Sequence, residues 1–301
     1  MLELPLLERG LFWGILIISA IASILAHVQI VKDDVRFRRL LVSFTSVQIT
    51  LGAVLLILRA TTIKAFPITG VFESMLILMV FFGITFLFLS AFIHQVWFLS
   101  VMAWVLFAIT LLAAIVAKPA AVLQEAARTP WVIVHALCMA LGGAMIVFAA
   151  AMSILFLWSR KRLKNKQLVK LFGRMPTIER LEKLNLLGLN LSFIAMTFGL
   201  VSGVGLVAVK SSGLGMTLSD WLTDSKIVLV MLAWLILLVT LIVRYVFAFR
   251  GRRIAYATFV VCFLILFAFI GSKIFCKSDH DFEKSSVHNA QPVQEVLCRL
   301  S

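Results

Sequence analysis

Five histidines and four cysteines are the side chains in this 301-residue sequence best suited to hold a metal or move protons and electrons. The cysteines do not combine. No CxxC and no CxxCH occurs, which excludes a dithiol redox motif and a covalent porphyrin attachment site. Cys138 and Cys262 fall inside apolar blocks and read as packing residues, while Cys276 and Cys298 lie near or in a polar tail. The histidines are spread out. His27 lies towards the end of the first apolar block and His94 in a short polar break. His135 follows Pro130-Trp131 at the start of a block, and His280 and His288 lie beyond the last one. No hydrolytic triad, phosphate-binding loop or zinc constellation is visible.

What must position these residues is a set of membrane helices. The chain is 62% hydrophobic and 14% charged, with a mean hydropathy of +1.08. A soluble domain carries about 45–50% apolar and about 25% charged residues. The excess falls in blocks long enough to cross a hydrocarbon layer as helix: roughly 11–31, 40–58, 71–92, 96–116, 131–158, 184–209, 226–247 and 254–275. Helices are expected because hydrocarbon offers no partner for an open backbone ladder. The period-two alternation of a membrane barrel is absent. Glu3 and Glu8 beside Arg9, together with the length of the first block, mark it as a retained span and not a cleaved leader. The expected architecture is an all-α polytopic bundle of about eight spans over residues 1–276, followed by a polar tail at 277–301.

The formal net charge of +14 belongs to the loops, which argues against nucleic-acid binding and for membrane topology. The first loop holds Lys32, Arg36, Arg38 and Arg39. The fifth runs from Arg160 to Lys183 and is densely basic, suited to a surface near anionic lipid. The seventh has Arg250, Arg252 and Arg253, whereas the second carries only Arg59 and Lys64. Odd loops are therefore expected in the cytoplasm, and both termini and the even loops on the periplasmic side of a bacterial inner membrane. Within the fifth loop, Thr177 is an expected N-cap and Glu179 and Lys183 an i,i+4 pair.

That orientation places His135 and His280 on one face. The sixth loop, Asp220-Trp221-Leu222-Thr223-Asp224, lies on the same face. Two neutral imidazoles across a pocket can supply both axial ligands of a haem iron, with an aromatic floor for the macrocycle and basic groups for its propionates. Each residue also has a plainer reading. His135 and His280 can be interfacial residues, Trp221 a belt aromatic, and Asp224 a helix cap.

Several stretches in order resemble the cytochrome c assembly (CcsA/HemX-like) family. Phe66-Pro67-Ile68-Thr69-Gly70-Val71-Phe72-Glu73-Ser74 resembles the family's FPLSNLYES stretch, and Pro130 to His135 the segment bearing its first outer haem histidine. Met175 to Leu181 resembles LPSLExLD. Trp221, Asp224, Lys226, Trp234 and Leu235 fall in step on the tryptophan-rich WSWDPKETWxxxTWL motif. Arg250-Gly251-Arg252-Arg253 resembles the basic WRGRR turn. Gly271 to Phe275 resembles GVNLL, with His280 nine residues after Gly271 as in the family's second outer histidine. The sequence departs from the pattern at Thr223, Ser225 and Ile227 in the tryptophan-rich loop, and at Ser278-Asp279-His280-Asp281 in place of LHSY.

The resemblance implies a haem-handling protein of cytochrome c biogenesis. His135 and His280 would ligate iron, Trp221 and Asp224 would cover one edge of the haem, and His27 would serve as a relay ligand within the membrane. Non-covalent haem is the implied cofactor. The implied partners are a synthase with a periplasmic domain and an apocytochrome c, with catalysis at most shared in a haem lyase complex. The tail leaves His288 as the alternative to His280. A HemX-type membrane regulator of haem biosynthesis, acting through the fifth loop, is the alternative function.

Overall fold

The computed structural model describes residues 4–32, 34–63, 67, 70–116, 130–164, 176–214, 225–247 and 251–268. Among the described residues there are eight helices and no strand. They are α1 (Leu6–Lys32), α2 (Val35–Ile63), α3 (Val71–Ser90), α4 (Val96–Val116), α5 (Pro130–Lys164), α6 (Ile178–Leu214), α7 (Ser225–Val246) and α8 (Arg252–Leu266). The first seven are long and apolar enough to cross a membrane. The protein is a polytopic helical bundle, as its composition requires. The eighth expected span, 254–275, begins in α8 and its later residues lie outside the described ones.

The helices close into two rings of four. In the first, α1 packs on α2, α2 on α3, α3 on α4, and α4 back on α1. In the second the cycle is α5, α6, α7, α8 and back to α5. The rings meet where α3 and α4 lie against α5. Trp97 of α4 and Trp158 of α5 join them at one end, with ring centroids 4.1 Å apart.

Apolarity does not decide which helix face turns inward, because lipid is as apolar as a core. Large apolar side chains such as Ile57, Phe88, Ile115 and Phe263 are more than 60% exposed. The buried faces hold large apolar side chains too, Phe12 and Ile15 of α1 among them, but they also collect small and neutral polar groups. On α1 these are Ser19, Ala22, Ser23, Ala26 and Gln29. Ser100 donates to the Ala26 carbonyl at 2.8 Å, which ties α4 to α1, and Ser23, bonded to the Ser19 carbonyl at 2.9 Å, lies 3.3 Å from the Ala103 carbonyl. Gln48 reaches across the first ring to donate to Thr110 at 3.2 Å. In hydrocarbon such bonds have no competing water, so they add specificity to van der Waals packing.

The most extensively packed helix pair is α5 with α6. Three bonds cross it at intervals of seven residues on both helices: His135 to the Gly199 carbonyl, Ser192 to the Gly142 carbonyl, and Asn185 to the Ala149 carbonyl, at 2.7, 2.9 and 2.9 Å. This is the heptad register of a left-handed antiparallel pair. Glycine makes the approach possible. A Cβ on Gly188 would stand 3.0 Å from the Met145 carbonyl oxygen and 3.0 Å from Phe148, and a Cβ on Gly142 would stand 2.7 Å from Met196.

At 35 residues, α5 is about 52 Å long, well beyond the roughly 30 Å of a bilayer core. Its last turns therefore carry Arg160, Lys161, Arg162 and Lys164, which the sequence reading had assigned to a loop. Cations there suit the helix dipole. Arg162 lies over Trp158, 4.5 Å from its ring centroid. At the start of α6 the expected cap is present: the Arg180 amide donates to Thr177 Oγ1 at 3.3 Å. The expected Glu179–Lys183 pair closes at 2.8 Å but is exposed, so it contributes little.

Gly188→Ala is expected to destabilise the bundle by about 1–3 kcal/mol through overpacking against backbone. Gly14→Ala, where a Cβ meets nothing within 4 Å, should cost nothing. Thermal unfolding of the two detergent-purified variants would show a lowered midpoint for the first alone, and equal midpoints would contradict the seam.

Candidate functional site

His135 sits in the second turn of α5, half-buried against α6. Its Nδ1 lies 2.7 Å from the Gly199 carbonyl oxygen. A carbonyl can only accept, so Nδ1 carries the proton and donates. In the neutral ring the lone pair then resides on Nε2. Metal-ligating histidines are commonly held by such a carbonyl, which sets the tautomer of the other nitrogen, and histidines that only pack helices together make the same bond. Ser202 Oγ donates to the same carbonyl at 2.9 Å. Gly199 accepts the approach because it has no side chain, for a Cβ would stand 2.6 Å from Met139 Sδ. One turn before His135, Trp131 lies across Gly205, which leaves the face of α6 open to its indole.

The other expected site residues are distributed unevenly. Trp221, Asp224, His280 and His288 lie outside the described residues. His27 is exposed near the far end of α1, at the opposite end of the bundle from His135, so the two are not brought together. His94 is exposed just before α4. Trp234, the last tryptophan of the expected motif, is part of the packing of the second ring. Its Nε1 donates to Thr197 Oγ1 at 2.9 Å and its ring stacks on Phe193, centroids 5.5 Å apart. Among the described residues no group of three or more His, Cys, Asp or Glu converges as a metal site.

The sequence reading missed a buried charge cluster at the His135 end of the first ring. The position of Arg59 beside an apolar block suggests a loop cation, yet it lies within α2 and is 3% exposed. Its Nη1 donates to Glu8 Oε2 at 3.1 Å. Its Nε donates to Glu73 Oε1 at 2.9 Å, and Nη2 reaches the same oxygen. Thr62 donates to the second oxygen of Glu8 at 2.7 Å. Glu8 and Glu73 are buried as well, so one guanidinium fork clamps the ends of α1, α2 and α3. The signal was present in the spacing. Leu41, Thr45, Gln48, Leu55 and Arg59 all fall on the one buried stripe of α2. Moving Arg59 into the bundle leaves Lys64 as the second loop's single basic residue.

The fold and this end of it define a multi-pass membrane protein that holds an imidazole in the α5–α6 seam at one end of the bundle. A family profile described as cytochrome c assembly protein matches residues 6–279, and the chain belongs to that family. Membership supports a role in cytochrome c biogenesis and lends nothing to the regulatory alternative. The matched stretch contains all eight helices, Trp221 and Asp224, and it stops one residue before His280. No characterised protein matches the chain at a level that supports comparison.

Breaking a buried charge cluster by removing one partner costs about 3–5 kcal/mol. Arg59→Ala should therefore fail to accumulate as a folded monodisperse protein. Arg59→Lys should be intermediate, because an ammonium cannot fork between two carboxylates. Size-exclusion profiles and thermal midpoints report both. Wild-type behaviour of Arg59→Ala would show that the cluster does not hold the first ring together.

Proposed function

We propose that this protein handles haem during cytochrome c maturation, with His135 as an axial ligand. The observation that carries the reading is the Nδ1 bond from His135 to the Gly199 carbonyl, which sets the tautomer that a ligating imidazole needs. The donor chemistry fits haem: a neutral imidazole of set tautomer, with the half-exposed indole of Trp131 one turn away. His280 is the proposed second ligand and Trp221 and Asp224 the proposed cover. His27, exposed at the opposite end, has the weakest claim to a place in this path.

Haem, when bound, supplies the iron and the vinyl carbons that receive cysteine thiols. The chain's own work is orientation. The α5–α6 seam fixes the imidazole, and the bonded carbonyl raises its basicity as a ligand. Basic residues crowd the opposite end of the bundle, on the last turns of α5 and the start of α8. By the positive-inside rule that end is cytoplasmic, and the His135 end faces the periplasm of a bacterial inner membrane. A synthase partner with a periplasmic domain would present apocytochrome c there.

Detergent-purified wild-type protein, expressed with haem supplementation, is expected to show a Soret band with sharp reduced α and β bands. His135→Ala should lose most of that absorbance, and imidazole added to the variant should restore part of it. His27→Ala should leave the spectrum unchanged. A His135→Ala spectrum equal to wild type, with folding intact by size exclusion, would rule out His135 as a ligand.

A further inference from the structure

One carbonyl in the α5–α6 seam faces more donors than it has lone pairs. Gly199 lies within α6, so its oxygen serves the helical amide one turn on. It also accepts from His135 Nδ1 at 2.7 Å. Ser202 Oγ lies 2.9 Å from the same oxygen and 2.8 Å from the Phe198 carbonyl oxygen. A carbonyl offers two lone pairs and a serine hydroxyl one proton. Three donors therefore meet at two acceptor sites, and Ser202 divides its proton between two carbonyls at nearly equal distance.

The other two crossings of the seam have no such rival. The Gly142 carbonyl accepts from Ser192 and the Ala149 carbonyl from Asn185. Three positions on from each, where Ser202 stands relative to Gly199, are Met145 and Met152, neither of which has a hydroxyl. Ser202 is 3% exposed, so its proton is shared between these two carbonyls and not drawn off by solvent. Neighbouring hydrogen bonds polarise one another in a low-dielectric interior. Donors that share one oxygen draw on the same electron density, so each weakens the others.

We propose that Ser202 is a positioning residue for His135: by loading the Gly199 carbonyl, it limits how strongly the seam grips the imidazole. The effect on the imidazole belongs to the seam alone, whereas its use rests on the haem reading given above. A ring whose Nδ1–H is held less strongly donates less electron density through Nε2. As an axial ligand it then favours the reduced iron and a weaker hold on it, which suits a protein that must pass its cargo on.

Haem-free, full-length protein labelled at histidine nitrogen reads the grip directly, with the His135 Nδ1–H resonance identified by its loss in His135→Gln. Ser202→Ala should move that proton downfield and slow its exchange with solvent by about threefold, within the worth of one neutral hydrogen bond. Ser202→Cys, a weaker donor of similar size, should shift it the same way by less, and Ser202→Thr, which keeps a hydroxyl there, should match wild type. An unmoved resonance in both Ser202→Ala and Ser202→Cys would overturn the proposal. So would an upfield shift with faster exchange, the mark of a serine that only packs the seam. The haem-loaded Ser202→Ala protein should also show a lower reduction potential than wild type, and a higher one would overturn the effect on iron. A downfield resonance in a protein that takes up no haem would support the placement of Ser202 and remove the haem reading alone.

Discussion

The close approach of α5 to α6 is the constraint on which the rest depends. Gly142, Gly188, Gly199 and Gly205 remove the side chains that would hold the helices apart. Once the backbones are near, carbonyls that would otherwise serve only their own helix accept second bonds from the neighbour. Ser192 and Asn185 donate from α6 to α5, and one heptad further along His135 donates from α5 to α6. The imidazole is therefore the last member of a packing series, and its tautomer follows from the seam. The ligand role proposed for His135 would use that same packing geometry.

Each ring has its own polar fastening. In the second, the Asn185 amide nitrogen that bonds the Ala149 carbonyl also lies 2.9 Å from Ser153 Oγ and 3.3 Å from Thr258 Oγ1, so its two N–H groups gather α5, α6 and α8 at one buried point. In the first, Arg59 clamps α1, α2 and α3 at one end, and Gln48 spans α2 to α4 in the middle. Charges buried in this way are weak evidence of extra stability, because desolvation offsets much of the attraction. Their value lies in register. A helix that slid by one turn would strand a carboxylate or a guanidinium in an apolar interior, and that penalty selects a single arrangement of the ring.

Much of the architecture was legible in the amino-acid sequence, because block length is set by bilayer thickness and needs no knowledge of packing. The span order, the Thr177 cap and the Glu179–Lys183 pair depend on local chemistry and appear where local chemistry placed them. Helix ends were less legible. Hydropathy stops at the first charge, yet α2 continues through Arg59 and α5 through Lys164. Arg59 was misread for that reason: a cation beside an apolar block looks like a loop residue until Glu8 and Glu73 are brought to it by the tertiary fold. The inward faces were illegible by hydropathy, since lipid and core favour the same side chains; the small-residue spacing was the usable signal. His135 was found by residue type and resemblance, whereas its bond to Gly199, 64 residues away, depends on the helix pairing.

The central claim is that the α5–α6 seam holds His135 as the Nδ1–H tautomer with its lone pair on Nε2. Nitrogen NMR of histidine-labelled, haem-free protein in bilayers tests it most directly. His135→Gln would identify the signals among those of the five histidines. The seam requires a protonated Nδ1 and an unprotonated Nε2 at His135, the reverse of the tautomer that a solvated imidazole prefers. A protonated Nε2 with an unprotonated Nδ1 would contradict it, and would remove the physical ground for treating His135 as an oriented ligand.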